Sequence, residues 1–509
     1  MDDNNQKPEE NQTIETPVPE TPQAETHTEA PVIEDAPIVE NVPMSSEVPV
    51  EEVAADVTTP EEAGTPSPEQ NINPPVYEEN KNQYLIFMVA GIVVFIIFLI
   101  IIIKAIFGGL AGKAKVTLTY WGLWEDKAIM APLISAYQQK YPNVTINYQQ
   151  MTPDSFREKL IARSKAKQGP DIFRFHNTWL PEISEIVTPI PNTIMSNSEF
   201  EKTFYPIAQK DLKAGNYYYG IPLEIDGLVL VYNNSLFKKA GIQTSPSTWD
   251  DITEIVPKLT VKDLNGNLIT SGIAIGTSSN IENFSDIFGL LLAQNGGSLS
   301  KLEGAEAAGA LEIYRKFAEA PQGYWNDQMS SAATSFTQEK VAMIIVPSWE
   351  ILSIKAANPD IDLKVVSVPA VPGAAPVSLA SYWVEGVSRF SQNQIEAWKF
   401  LKYLSEKDNE TKLYESQAKV RLFGEPYSRV DLGPLLLQNQ YVGPVIKQAN
   451  DYVSMPLISR TYDNGLNDEI IKYIENAINA TTQGVTYSEA LTTAKSGVTQ
   501  IFTKYNISN

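Results

Sequence analysis

Hydrophobic and polar positions divide the chain into three regimes. Up to Gln83, apolar residues come in short steps between acids, as in Pro31-Val32-Ile33, without the period of a helix or a strand. From Tyr84 to Ile103 they run for 20 residues without a charge, rich in Ile, Val and Phe. At about 1.5 Å per residue such a helix covers roughly 30 Å, the hydrocarbon thickness of a bilayer. Lys81 and Lys104 bracket the run, and Tyr84 suits a membrane interface.

From Val116 onward the pattern is that of alternating strands and helices. Val116-Thr-Leu-Thr-Tyr has a strand's period of two, and Val144-Thr-Ile-Asn-Tyr and Pro170-Asp-Ile-Phe-Arg-Phe follow. Between them, 128–140 and 154–167 have helical spacing, the first with Ile129, Pro132, Leu133 and Tyr137 on one face. This alternation predicts an α/β fold with a largely parallel sheet. Ser247 and Asp250 suggest a cap opening a helix over 248–258. Asn265-Gly266 is a hairpin signal, and 393–405 and 466–480 have helical periodicity.

Composition changes this picture mainly at the amino end. The chain has 509 residues, too many for one compact domain. Residues 1–83 hold 20 Asp and Glu against Lys7 and Lys81, a net −18, while the whole chain carries −22. The remaining −4 leaves the later part nearly balanced, with no basic stripe that would suggest nucleic acid. The first 83 residues also contain 13 prolines and a single aromatic residue, Tyr77, and so predict a disordered, solvated tail. There is no cysteine, which excludes disulfides, thiol catalysis, Cys-ligated zinc, iron–sulfur clusters and lipid attachment through cysteine. His176 is the single histidine after the tail, so a His-clustered metal site is excluded and no cofactor is expected. Asp263-Leu-Asn-Gly-Asn starts like a calcium loop, but its twelfth position is Ala274 rather than Glu, and the hairpin is preferred. No phosphate loop or nucleophile elbow is present.

Five stretches carry a resemblance. They are Gly169-Pro-Asp-Ile-Phe, the run from Tyr219-Gly-Ile-Pro-Leu-Glu-Ile-Asp through Pro246-Ser-Thr-Trp-Asp-Asp, Phe336-Thr-Gln-Glu-Lys through Pro347-Ser-Trp, Tyr382-Trp-Val-Glu-Gly-Val-Ser, and Glu396-Ala-Trp-Lys-Phe-Leu-Lys-Tyr-Leu. In this order they resemble the family 1 extracellular solute-binding proteins of ABC importers, the sugar-type group that contains maltose-binding protein. The similarity covers about 116–509. It implies a two-lobed periplasmic-binding-protein-like fold with hinge crossovers, lobe 1 holding about 116–225 and 384–435, and lobe 2 about 226–383 and 436–509. It also implies a small-molecule ligand, most simply a carbohydrate, held between the lobes and passed to ABC permease subunits.

A sugar offers hydroxyls at its rim and C–H faces above and below, so its pocket needs aromatic platforms beside carboxylates, amides and arginine. With the cleft that the resemblance implies, Trp121 and Trp124 follow the first strand, and Asn177 and Trp179 follow the third. Trp349 and Trp383 fall where the family places cleft residues, and Tyr382, beside Trp383, is a further candidate. Glu224 and Asp226 lie where the chain crosses between lobes, and a carboxylate there needs a partner. Arg421 and Tyr427 follow a helix in a Pro/Gly loop, with Arg460 and Tyr462 as weaker candidates. Trp249 and Trp398 read as packing, and Trp325 as either. No catalytic residue or metal ligand is assigned. Two alternatives stay open: a sensor signalling through the single helix, and a carbohydrate-active enzyme using two carboxylates, although nothing in the sequence places two together.

The flanking lysines oppose the family's topology. Lys81 stands alone before the helix, whereas Lys104, Lys113 and Lys115 follow it, and the positive-inside rule then puts the large domain in the cytoplasm. A solute receptor needs it outside, and large domains translocate regardless of such a small bias. The expectation is a single-pass protein of the cell membrane with a cytoplasmic tail, an external domain and a linker at 104–115. The run Gly108-Gly109-Leu110-Ala111-Gly112 is either part of that linker or a cleavage site.

Overall fold

The computed structural model describes residues 81–107 and 114–507, and within the first range the side chains of 85–99. The tail up to residue 80, and the centre of the linker with its small-residue run, lie outside the described residues. The first helix, α1, spans Lys81–Phe107, 27 residues in all. Its side chains from Leu85 to Leu99 are all exposed. Among the described residues no helix is long and apolar enough to cross a membrane. The expected crossing at Tyr84–Ile103 is therefore not borne out among the described residues. The chain divides into two units between Gly91 and Ile92, and the sheets and the cleft belong to the second.

The first three strands of that unit form as expected: β1 (Val116–Gly122), β2 (Val144–Gln150) and β3 (Ile172–His176). The helices between them are α2 (Lys127–Lys140) and α3 (Phe156–Lys165). Asp126 caps α2 by accepting from the Ala128 N–H. Its buried face is Ile129, Met130, Leu133, Ile134 and Tyr137, while Pro132 points to solvent, contrary to expectation. Two short strands follow, β4 (Ile221–Pro222) and β5 (Leu228–Asn233), then β6 (Met343–Pro347), β7 (Leu363–Val366) and β8 (Trp383–Val387).

These strands make two principal sheets. One has five strands in the order β2-β1-β3-β8-β4, the other three in the order β6-β5-β7. Only β1, β2 and β3 pair in parallel. β8 runs antiparallel to β3 and to β4, and both neighbours of β5 are antiparallel to it. The expected parallel character therefore holds in the first half only. The second half returns to its sheets by crossing between them, and a strand that arrives from the other sheet is not bound to the direction a strand–helix–strand unit imposes. Between β4 and β5 the chain leaves one sheet for the other, and Glu224 and Asp226 ride on that crossover. Gly227 belongs there because a Cβ would collide with the Leu379 carbonyl and the Tyr452 ring.

Local signals fare well away from the sheets. Helix α4 (Trp249–Leu259) has a capping box one residue later than expected, between Thr248 and Asp251, while Ser247 donates its hydroxyl to Asp251 as well. Asp263 accepts from the Asn265 and Asn267 N–H groups at 2.8 Å and so closes the hairpin whose Gly266 has φ 85°. Helices α5 (Gln394–Leu404) and α6 (Leu466–Thr482) confirm the helical periodicities. Trp249, Trp325 and Trp398 are all buried in the core, where Trp249 donates to Gln294 and Trp325 to Thr277.

Candidate functional site

A cleft of about 260 Å³ is lined by residues from both sheets and from the crossover between them. Trp124, His176 and Trp383 approach from the five-stranded sheet, Pro347 and Trp349 from the end of β6, and Glu224 and Asp226 from the crossover. Two loops complete it: Arg421 and Glu425 from one, Ser459, Arg460 and Tyr462 from the other. Eight residues named from the sequence are thus brought together: Trp124, Glu224, Asp226, Trp349, Trp383 and Arg421, with the weaker candidates Arg460 and Tyr462.

The aromatic side chains form its walls. The rings of Trp124 and Trp383 meet edge-on at 5.5 Å, and Tyr462 lies 6.1 Å from Trp124. Trp124 is 38% and Tyr462 37% exposed, which is costly for such large side chains unless something lies on them. Across the cleft, the Arg460 guanidinium sits 4.5 Å over the Trp349 ring and holds Glu350 at 2.6 Å. Its loop is strained, since Arg460, Tyr462 and Asn464 have φ of 57°, 57° and 45°. Non-glycine residues in that region cost of order 1 kcal/mol or more each and persist only where the surroundings enforce them. Here buried Asp463 does so, accepting from the Gly465 N–H and from both nitrogens of Asn467.

Five expected residues stand outside the cleft. Trp121 packs inward against Phe156. Asn177 and Tyr382 belong to a buried knot, where both bind Asp211 at 2.9 Å and Tyr382 also donates its N–H to Asn177 at 3.2 Å. Trp179 is fully buried behind the cleft, its ring 5.4 Å from Trp383. The reason is strand geometry. Successive side chains face opposite ways, so of Tyr382 and Trp383 only one can reach the ligand side. Tyr427 is buried against Tyr414 rather than in the cleft.

The sequence reading missed His176, Ser381, Glu425 and Ser459, and ranked Arg460 and Tyr462 too low. His176 had a signal, since it ends β3 directly before Asn177 and Thr178. Its ring contacts Thr178 at 2.9 Å and Ser381 at 3.2 Å, and burial pushes its pKa down to about 3, so it is neutral. Glu425 lies in Phe423-Gly-Glu-Pro-Tyr, close to Arg421, but only the fold carries that loop across to the crossover.

The floor of the cleft is acidic, and the fold brings together carboxyl groups that nothing in the sequence places side by side. Oxygens of Glu125, Glu224 and Glu425 lie within 4.8 Å of one another. Glu125 binds buried Arg174, which also donates to Glu385 at 2.6 Å. Gln417 joins the group by donating to Glu125 at 3.1 Å and accepting the Glu425 N–H at 2.8 Å. Glu224 accepts the Trp383 N–H at 3.1 Å. Burial, reinforced by the charge of Glu425, raises the pKa of Glu224 well above the carboxylate range and that of Asp226 to about 7. The result is a concave site with aromatic faces, acceptors at its floor and guanidinium donors at its rim.

The family model of the bacterial extracellular solute-binding proteins matches residues 122–411. A Brucella abortus protein named as a binding protein is 26% identical over 320 residues, covering 60% of this chain and 75% of its own. The maltotriose-binding protein of Pyrococcus abyssi is 23% identical over 315 residues, 58% of this chain and 63% of that one. Among solved structures, the sugar-binding protein MalE of Xanthomonas citri superposes with a TM-score of 0.63 at 17% identity, over 77% of this chain and 98% of that chain.

Proposed function

The chain belongs to the bacterial extracellular solute-binding proteins, and on that premise we propose that it is a membrane-anchored receptor which captures a carbohydrate or oligosaccharide and delivers it to an ABC permease. The observation that carries the reading is the cleft itself, with Trp124, Trp349, Trp383 and Tyr462 around buried Glu224 and Asp226. Rings of sugars lie on aromatic faces, and their hydroxyls donate to carboxylates. Lobe 1 then comprises about 116–225 and 384–435, and lobe 2 about 226–383 and 436–509. A ligand touching both lobes favours the closed form by the contacts it adds there. The names of relatives and neighbours agree, since they include a maltotriose-binding protein and a cyclo/maltodextrin-binding protein complexed with maltotetraose.

The test is a thermal-shift screen of the full chain in detergent against a broad oligosaccharide library, followed by calorimetric titration. At least one sugar should raise the melting temperature. Trp349→Ala should keep the circular dichroism of the fold and lose about 2 kcal/mol of binding, roughly thirtyfold in affinity. Stabilisation by no sugar would sink the carbohydrate assignment.

Anchoring rests on α1. It is 27 residues long, and its sequence has the uncharged run Tyr84–Ile103, which in water would leave a continuous apolar surface. The tail is then cytoplasmic and the receptor domain external, tethered by residues 104–115. Protease added to intact cells should digest the domain; protection of the domain with loss of the tail would reverse the orientation.

The meeting of Glu224 and Glu425 favours one second reading, a glycosidase, because glycoside hydrolysis uses a pair of carboxyl groups. Family membership ranks it lower, and reducing sugar released from the ligand by the purified chain would raise it.

A further inference from the structure

The ion pairs around the cleft leave a deficit of positive charge. Arg174 is taken by Glu125 and Glu385, Arg421 by Glu425 at 2.8 Å, and Arg460 by Glu350. Glu224 and Asp226 have no cationic partner among the described residues, although both are nearly fully buried and both line the cleft. Asp226 keeps Oδ2 without a hydrogen-bond partner, and Glu224 binds through Oε1 only the Trp383 N–H. Six carboxyl groups thus face three guanidiniums in one partly desolvated place, where an ionised group without a cation is expensive, so the protonated forms of Glu224 and Asp226 are favoured.

Neutral hydroxyls would leave these two groups protonated, whereas a cation would let them ionise. A metal ion suits the place poorly. Glu125 already spends both oxygens, one on Arg174 and the other on Gln417, and two guanidiniums adjoin the cluster. Calcium needs six or more oxygens. A primary ammonium needs three acceptors at about 2.8 Å, which places those acceptors roughly 4.6 Å apart around it. Oxygens of Glu224 and Glu425 lie within 4.8 Å of each other, and Asp226, whose Oδ2 has no hydrogen-bond partner, lines the same cleft.

We infer that the floor of this cleft is an ammonium subsite, so that the ligand is a sugar bearing a free, protonated amine whose ring lies against the tryptophans while its amine enters among Glu224, Asp226 and Glu425. This rests on the receptor reading above. The aromatic walls choose an amino sugar over an open-chain polyamine, which has no ring face to present to Trp124, Trp349 and Trp383.

The experiment titrates the full chain in detergent at pH 6 with four probes: the trimer of glucosamine, its fully N-acetylated counterpart, maltotriose and spermidine. The glucosamine trimer should bind at least tenfold tighter than each of the others. Glu224→Gln and Asp226→Asn, both of which retain shape, should each cut that affinity at least tenfold and erase the preference over the acetylated trimer. Equal or tighter binding of maltotriose or the acetylated trimer overturns the ammonium subsite and leaves the receptor standing. Tighter binding of spermidine overturns the amino sugar. Binding of none of the four, when the library screen has found another sugar, overturns the inference alone; with no sugar found anywhere, the receptor reading falls with it.

Discussion

Arg174→Met should destabilise the receptor domain by about 3–5 kcal/mol at neutral pH, the usual cost of removing one member of a buried ionic cluster. Arg174 lies in the centre of β3, only 2% exposed, between Glu125 and Glu385. Burial pushes the Glu385 pKa up even with the arginine in place. Without it, two carboxylates would share a dry site with no cation, and they would protonate or open the sheet. The loss should therefore shrink as the pH falls from 7 towards 5. Urea unfolding at both values measures it. The triple change Arg174→Met, Glu125→Gln and Glu385→Gln should recover most of the loss, because it removes the charges together. A single Arg174→Met variant as stable as the parent would show that the cluster carries no such energy. The effect should reach the cleft as well, since Glu125 holds Gln417, and Gln417 holds the Glu425 N–H.

The fate of Arg174 also shows where sequence reasoning ends. Ile-Phe-Arg-Phe-His reads as a strand because four of its five residues are apolar or aromatic, and the strand forms. Nothing local says that the arginine would be buried, because its partners lie 49 and 211 residues away. The same division runs through the site. Trp124 was legible because the carboxyl end of β1 faces the cleft, and Trp383 through the family resemblance. Trp121 and Tyr382 were misplaced because proximity to a strand end does not say which face a side chain takes, and one residue of offset reverses it. Arg460 and Tyr462 sit in a loop whose only local mark is an irregular backbone, invisible until φ is known. The hairpin at Asn265-Gly266 and the helical periodicities were legible because their causes are local. The capping box missed by one residue, since Ser247 and Thr248 both qualify and only the backbone at Thr248 decides between them.

Stability should fall as the pH rises from about 4 to 7, opposite to the behaviour of a protein held by ionised acids. The buried carboxyls set the sign. Burial raises Asp226 to about 7, Asp211 and Asp286 to about 6 and Glu410 to about 8 in the folded chain. Unfolded, these groups lose their protons near pH 4. Between the two values the folded state holds more protons, so each further unit of pH favours unfolding by about 1.4 kcal/mol per group still protonated in the fold. For Asp226 alone the stabilising difference is complete below pH 4, is lost by about pH 7 and amounts to on the order of 4 kcal/mol. Carboxyls with lowered pKa, such as Asp251 and Asp362, titrate below this window and do not mask it. Melting temperatures of the ligand-free chain at pH 5 and pH 8 should differ, with the higher value at pH 5. Asp226→Asn should flatten the slope by raising stability at pH 8 while leaving it nearly unchanged at pH 5. A profile that rises towards pH 8, or an asparagine variant with the parent's slope, would refute this account. Asp226 is thus a residue the free protein would be more stable without at neutral pH. Its retention beside an aromatic cleft is understandable if a bound ligand offsets the cost by donating to the oxygen that no protein group satisfies.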